Sequence, residues 1–180
     1  MSDREESGFR LKTLDELDRN SFTAFQIASI AMTCRKLFSE QVSEVLFKTL
    51  AKAFAKRLVE LYSREWKVKS WTPQLLGDAL SDLEGRIGGE CRVETVNESK
   101  IMMKVAKCPF GNELVQSIGD SLCQIEKHIS SAMVENASIP VRRSTLDTSI
   151  GRGDGSCLIV IELAGEKRER VSVPVGVSKR

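Results

Sequence analysis

The hydrophobic period of this chain changes at Gly88-Gly89, and that change constrains the fold more than any other feature. Before the glycine pair, apolar residues recur at three- and four-residue steps, the spacing of one helix face. After it they alternate, the spacing of strands covered on one side. Val42, Leu46, Leu50, Phe54, Leu58 and Leu61 form a single stripe behind Ser39, whose hydroxyl can cap a helix start. Thr72-Pro73 opens a further helix, with Thr as cap and Pro in the first turn. Leu75, Leu76, Ala79, Leu80 and Leu83 make its buried side. Past the glycines, Cys91, Val93 and Thr95 alternate with Arg92, Glu94 and Val96, and Ile101, Met103 and Val105 with Met102, Lys104 and Ala106. Asn97-Glu98-Ser99 between these runs reads as the turn of a β-hairpin.

Cys108-Pro109-Phe110-Gly111 stops the second strand. Asn112 is predicted to cap one long helix, with Leu114, Ile118, Leu122, Ile125, Ile129 and Met133 on its core side. A strand follows Pro140 through Val141, Arg143 and Thr145. The glycine-rich stretch Gly151 to Ser156 then leads into Cys157 to Leu163, the most continuous apolar strand, and Val171 to Val175 could add a last one. Upstream, Leu14 to Phe38 carries a mixed helical pattern. Helices followed by hairpins, with no βαβ alternation, give the α+β class: an antiparallel sheet with helices packed on one face, preceded by N-terminal helices. The expected organisation is a lead-in without structure at 1–8, a helical segment at 9–40 and an α+β domain at 41–180.

Bulk composition excludes several roles. Hydrophobic residues make up 41% and charged residues 29% of the 180, ordinary values for a globular chain. With 27 basic and 25 acidic residues the net charge is +2, too balanced to argue for nucleic acid. No run of about 18 apolar residues suggests a membrane span, and the polar start lacks the pattern of a signal peptide. The expected location is therefore cytoplasmic, where the five cysteines would be free thiols or metal ligands.

Cys108, Cys123 and Cys157 carry the main chemical question. Fourteen residues separate the first two and thirty-three the last two, which is not the tight pairing of a zinc ribbon. Small buried core residues are the alternative account of all three. His128, the only histidine, sits on the flank of an apolar stripe and reads as a structural histidine. Gly151-Arg152-Gly153-Asp154-Gly155 precedes a strand rather than a helix, so a tight turn explains it better than a phosphate loop. Arg64, Trp66, Lys67, Lys69 and Trp71 mix bases with aromatics. A connector whose indoles pack on the core accounts for them better than base stacking does. Phe47, Phe54, Leu58, Tyr62, Met102 and Met103 could line an apolar ligand pocket or simply fill the core. No acid–base pair or cofactor fingerprint marks an enzyme.

The segment from about Leu46 to Leu163 resembles the 4-vinyl reductase domain family and is similar to the related methanogen output domain. The residues that carry the likeness are the helix Thr49 to Tyr62, a helix ending in Gly88-Gly89, and a hairpin running into Cys108-Pro109-Phe110. A helix bearing Cys123 and the signature Gly153-Asp154-Gly155-Ser156-Cys157 complete it. The resemblance implies a sensing or output domain, often dimeric, with a pocket beside the sheet for a hydrophobic small molecule. It also implies that Cys108, Cys123 and Cys157 match cysteines that hold zinc or an iron–sulfur cluster in some relatives. Ser149 stands where zinc-binding members have a further cysteine, and the position of their acidic ligand falls near Leu146. Cys91, Glu126 or His128 could supply a fourth ligand.

The reading is a non-catalytic sensory or signalling-output domain for a hydrophobic small molecule. A homodimer is expected, because the apolar helices of Leu14 to Phe38 need a partner for their faces. The rivals are a regulatory interaction module with no ligand, a metal-based redox sensor, an enzyme acting on a tetrapyrrole, and a DNA-binding regulator.

Overall fold

The computed structural model describes residues 36–164 together with residues 23, 26, 27, 29, 30, 33 and 34. The lead-in at 1–8 and the strand expected at Val171 to Val175 lie outside the described residues. Described residues between Thr23 and Leu37 are helical. Then follow α1 (Glu40–Glu65), α2 (Pro73–Arg86), β1 (Glu90–Val96), β2 (Lys100–Lys107), α3 (Asn112–Ile118), α4 (Ser121–Asn136), β3 (Val141–Thr148), a 3-10 turn (Ile150–Arg152) and β4 (Cys157–Leu163). The strands form an antiparallel sheet in the order β1-β2-β4-β3. The α+β architecture is the expected one.

Local chemistry sets the boundaries. The Ser39 hydroxyl accepts from Val42 N at 3.4 Å and starts α1. The Thr72 hydroxyl accepts from Leu75 N at 3.2 Å, with Pro73 in the first turn of α2. In the β1–β2 turn, Asn97 Oδ1 accepts from the N–H groups of Ser99 and Lys100, and Asn97 N donates to Lys100 O. A bulge between Val93 and Thr95 lets both Val93 and Val96 face α2. There they meet Gly77, where an added Cβ would stand 3.4 Å from Val93 Cγ1 and 3.7 Å from Val96 Cγ2.

The core lies between the sheet and the helices. Ile101, Met103 and Val105 of β2 and Cys157, Ile159 and Ile161 of β4 are fully buried. Between them come the half-buried or exposed Met102, Lys104, Leu158 and Val160, which belong to the opposite face. Leu76 and Leu80 of α2 and Met133 and Val134 of α4 cover the buried side. Each fully buried side chain of this size contributes about 1.5–3 kcal/mol relative to an exposed one. Trp66 and Trp71 pack against this core, and Trp71 Nε1 donates to Ser63 Oγ at 3.0 Å. The connector is thus a packed one, as the sequence suggests.

Two expectations need correction. The buried face of α1 is Ser43, Phe47, Ala51, Ala55, Val59 and Tyr62, whereas Val42, Leu50, Phe54 and Leu61 of the expected stripe are exposed. The reason is close packing: the face turned inward, towards α4, carries Ser43, Ala51 and Ala55, which let two helices approach further than a leucine ridge would. The single long helix is also divided. Gly119, at φ 76° and ψ −167°, breaks it into α3 and α4. Asn112 is not the cap of α3. Gly111 holds that position, and Asn112 Oδ1 accepts from Cys108 N at 2.9 Å.

Candidate functional site

A cavity of about 700 Å³ opens among the helices rather than against the sheet. Leu50, Ala51 and Phe54 of α1 form one wall, Leu83 and Ile87 at the end of α2 a second, and Ile125 and Ile129 of α4 a third. Pro109-Phe110 and the N-terminal residues Thr23 and Ile27 complete it. Its charged lining residues, among those described, are Glu84 of α2 and Glu126 of α4.

These two carboxyls are almost wholly buried, 3% and 7% exposed. Each sits one helical turn past a fully buried leucine, Leu80 and Leu122, so the helix period itself turns it inward. The two are close enough that each shifts the titration of the other. Burial pushes Glu84 up. Burial, then the charge of Glu84 and the hydrogen bond with it, pushes Glu126 well above the ordinary range. Two carboxyls in one dry site share a proton, because both cannot ionise side by side. Gly89 keeps Glu84 in place: an added Cβ there would stand 2.8 Å from Glu84 Oε2.

Next to the cavity lies a cluster of cysteines. Cys108, Cys123 and Cys157 are buried in one apolar cluster with Val105, Leu122 and Ile150, and the half-buried Cys91 packs against it. Cys123 and Cys157 stand 3.4 Å apart, Sγ to Sγ. The Cys157 thiol, then the Ser149 hydroxyl and the Gly151 N–H, stabilise a thiolate at Cys123 and lower its pKa to about 6 despite burial. Cys157 is pushed up by the same contact and accepts from Ile150 N at 3.3 Å. Burial pushes Cys91 up to about 12 and Cys108 upward as well.

The glycine-rich segment holds this cluster against α4. Asp154 Oδ2 accepts from Ser149 N at 2.7 Å, and Arg152 reaches Asp120 Oδ2 at 3.3 Å and the Leu146 and Asp147 carbonyls at 3.1 Å. At Gly151 an added Cβ would stand 2.5 Å from Gly119 O. Gly153 has φ 95°. The segment is a turn, with no helix behind it to hold a phosphate.

The structure distributes the sequence-derived candidates as follows. Phe54 lines the cavity. Phe47 is buried with Cys34 in a separate small cluster. Leu58, Tyr62 and Met103 belong to the main core, where Tyr62 Oη donates to Asp82 Oδ2 at 2.7 Å, and Met102 lies on the opposite sheet face. Among the described residues no group of three or more His, Cys, Asp or Glu is gathered as a metal site. His128 is buried, and burial with the nearby Lys127 and Lys48 lowers its pKa to about 4. Glu84 is the residue that the sequence reading missed, and Glu126 enters that reading only as a spare metal ligand. The available signal was a carboxylate inside an otherwise apolar stripe.

Among the described residues no helix is long and apolar enough to cross a membrane. The solved structures that share the fold include two at low sequence identity. One is similar to 81% of this chain at TM-score 0.62 and 10% identity, with 95% of its own length covered: trafficking protein particle complex subunit 3 from Naegleria fowleri, covalently bound to palmitic acid. The other is an H-NOX protein from S. oneidensis in the Fe(II)NO ligation state, at TM-score 0.55 and 12% identity, covering 87% of this chain and 82% of that one. No curated protein matches the sequence. The methanogen output domain 1 family matches residues 27–162, from the N-terminal helical residues through β4, and the chain belongs to that family.

Proposed function

We propose that the chain is a non-catalytic sensory or output domain that binds a hydrophobic small molecule in the helix-lined cavity. The observation that carries this reading is the cavity itself. Its volume of about 700 Å³ falls within the range of roughly 300–1,000 Å³ typical of small-molecule sites, and its walls are apolar apart from Thr23 and the two carboxyls. Membership of the methanogen output domain 1 family favours a sensory or output role over an enzyme. The two solved neighbours each carry a small ligand by their own descriptions, which supports the reading only as a property of the fold.

The test is binding of the neutral dye N-phenyl-1-naphthylamine, whose fluorescence rises in apolar surroundings. Saturable binding is expected. Ile129→Trp, which fills the space between α4 and α1, is expected to weaken it about tenfold, or about 1.4 kcal/mol. Binding unchanged by that substitution would move the dye elsewhere and end the cavity reading.

Self-association remains part of the proposal. Val42, Val45, Leu50 and Leu61 of α1 are exposed together with Leu37 and Phe38, an apolar surface suited to a second copy. Sedimentation showing only monomer at high concentration would remove it.

A further inference from the structure

An apolar ligand makes no use of Glu84 and Glu126. Burying carboxyl groups without donors is costly, because the water they give up must be replaced by hydrogen bonds. Apart from each other, Glu84 Oε2 and both carboxyl oxygens of Glu126 meet no donor among the described residues. No lysine, arginine or histidine among those residues lines the cavity. The sulfur groups near the pair bring no positive charge: Cys91 and Cys108 keep their protons, and Cys123 adds negative charge when it ionises. A pair sharing one proton therefore leaves one negative charge against apolar walls. Phe54 and Phe110 also line the space, and aromatic ring faces attract cations.

We infer that the cavity takes an amphiphile with a primary-amine head, its ammonium seated on Glu84 and Glu126 and its apolar body running between α1, α2 and α4. The inference deepens the proposed function and rests on the cavity being a ligand site. An ammonium brings donors, and the carboxyl oxygens left free by the shared proton have none from the rest of the protein. Its charge neutralises the pair, and charge-assisted hydrogen bonds are the stronger kind. An alcohol brings one donor and no charge. A carboxylate brings a like charge into a dry site, where repulsion is strongest.

Displacement of N-phenyl-1-naphthylamine by n-decylamine, n-decanol and decanoate tests this, in the wild-type chain, Glu126→Gln and Glu84→Gln. In the wild type, decylamine is expected to displace the dye at a concentration at least about tenfold below decanol, the scale of one charged hydrogen bond. Decanoate is expected to be weakest. In both variants the amine-to-alcohol preference should shrink, because the remaining carboxyl still carries charge but one of the two carboxylate acceptors is gone. The ratio is taken within each protein, so a general change in the cavity cancels, and the second variant covers the loss of one to misfolding. Equal displacement by amine and alcohol in the wild type, or a preference undiminished in both variants, overturns the head-group assignment and leaves the apolar cavity standing. Failure of the dye and of all three competitors to bind overturns both.

Discussion

Glu126→Gln removes a titrating carboxyl from the interior while keeping its shape. Burial, the charge of Glu84 and their hydrogen bond hold the Glu126 carboxyl well above the 4.5 of a free glutamate. The folded chain therefore keeps a proton that the unfolded chain releases once the pH passes about 4.5. Where the native state binds the extra proton, stability falls as the pH rises, by about 1.4 kcal/mol per pH unit, until the folded pKa is reached. Two groups act the other way in the wild type. His128, lowered to about 4 by burial and by Lys127 and Lys48, costs stability as the pH drops below 6.5. Cys123, lowered to about 6 chiefly by the Cys157 thiol, adds stability as the pH rises towards 9. Both remain in the variant, so the difference between the two proteins reports the Glu84–Glu126 pair rather than these two groups. As the pH rises above about 4.5 the glutamine variant is expected to gain on the wild type, by up to about 1.4 kcal/mol per pH unit, or about 3–5 °C in Tm per unit for a domain of this size, for as long as the wild-type carboxyl keeps its proton. Urea unfolding at steps from pH 5.5 to 8 and constant ionic strength measures it. Parallel stability curves for the two proteins would refute a buried, protonated Glu126.

Three further substitutions probe the surroundings. Cys157→Ala removes the thiol that stabilises the Cys123 thiolate, so the thiolate absorbance near 240 nm that titrates at about pH 6 should move to higher pH; an unmoved titration would assign it to another group. Gly151→Ala places a Cβ 2.5 Å from Gly119 O and 2.6 Å from Asp120 Cα, and should cost about 2–3 kcal/mol in chemical denaturation, because backbone has to move. Tyr62→Phe deletes the 2.7 Å donation to Asp82 and should cost about 1–2 kcal/mol; a neutral result would mean that water replaces the phenol.

Elements with an unambiguous period were legible in the sequence. Cys157 to Leu163 alternates between a fully covered face and a half-covered one, and appears as β4 with those bounds. Thr72-Pro73 marks the start of α2 through two local devices that do not depend on the rest of the chain. The inward face of α1 was not legible. A stripe reading counts large apolar residues, whereas close packing on α4 selects Ser43, Ala51 and Ala55 because they are small. Nor was the break at Gly119. A lone glycine inside a helical pattern is tolerated, and the need for positive φ there comes from a distant event, the approach of Gly151 to the Gly119 carbonyl. The carboxyl pair shows the same limit. Glu84 draws no reading from the sequence and Glu126 only that of a spare metal ligand, since a charged residue one turn past a leucine gains its meaning only from what stands opposite once α2 and α4 are brought together.

The most direct test of the central claim is a crystal structure of the protein soaked with N-phenyl-1-naphthylamine. The dye is expected between α1, α2 and α4, in contact with Phe54, Ile125 and Ile129 above the Glu84–Glu126 pair. A dye bound outside this space, with the helices closed over it, would contradict the account.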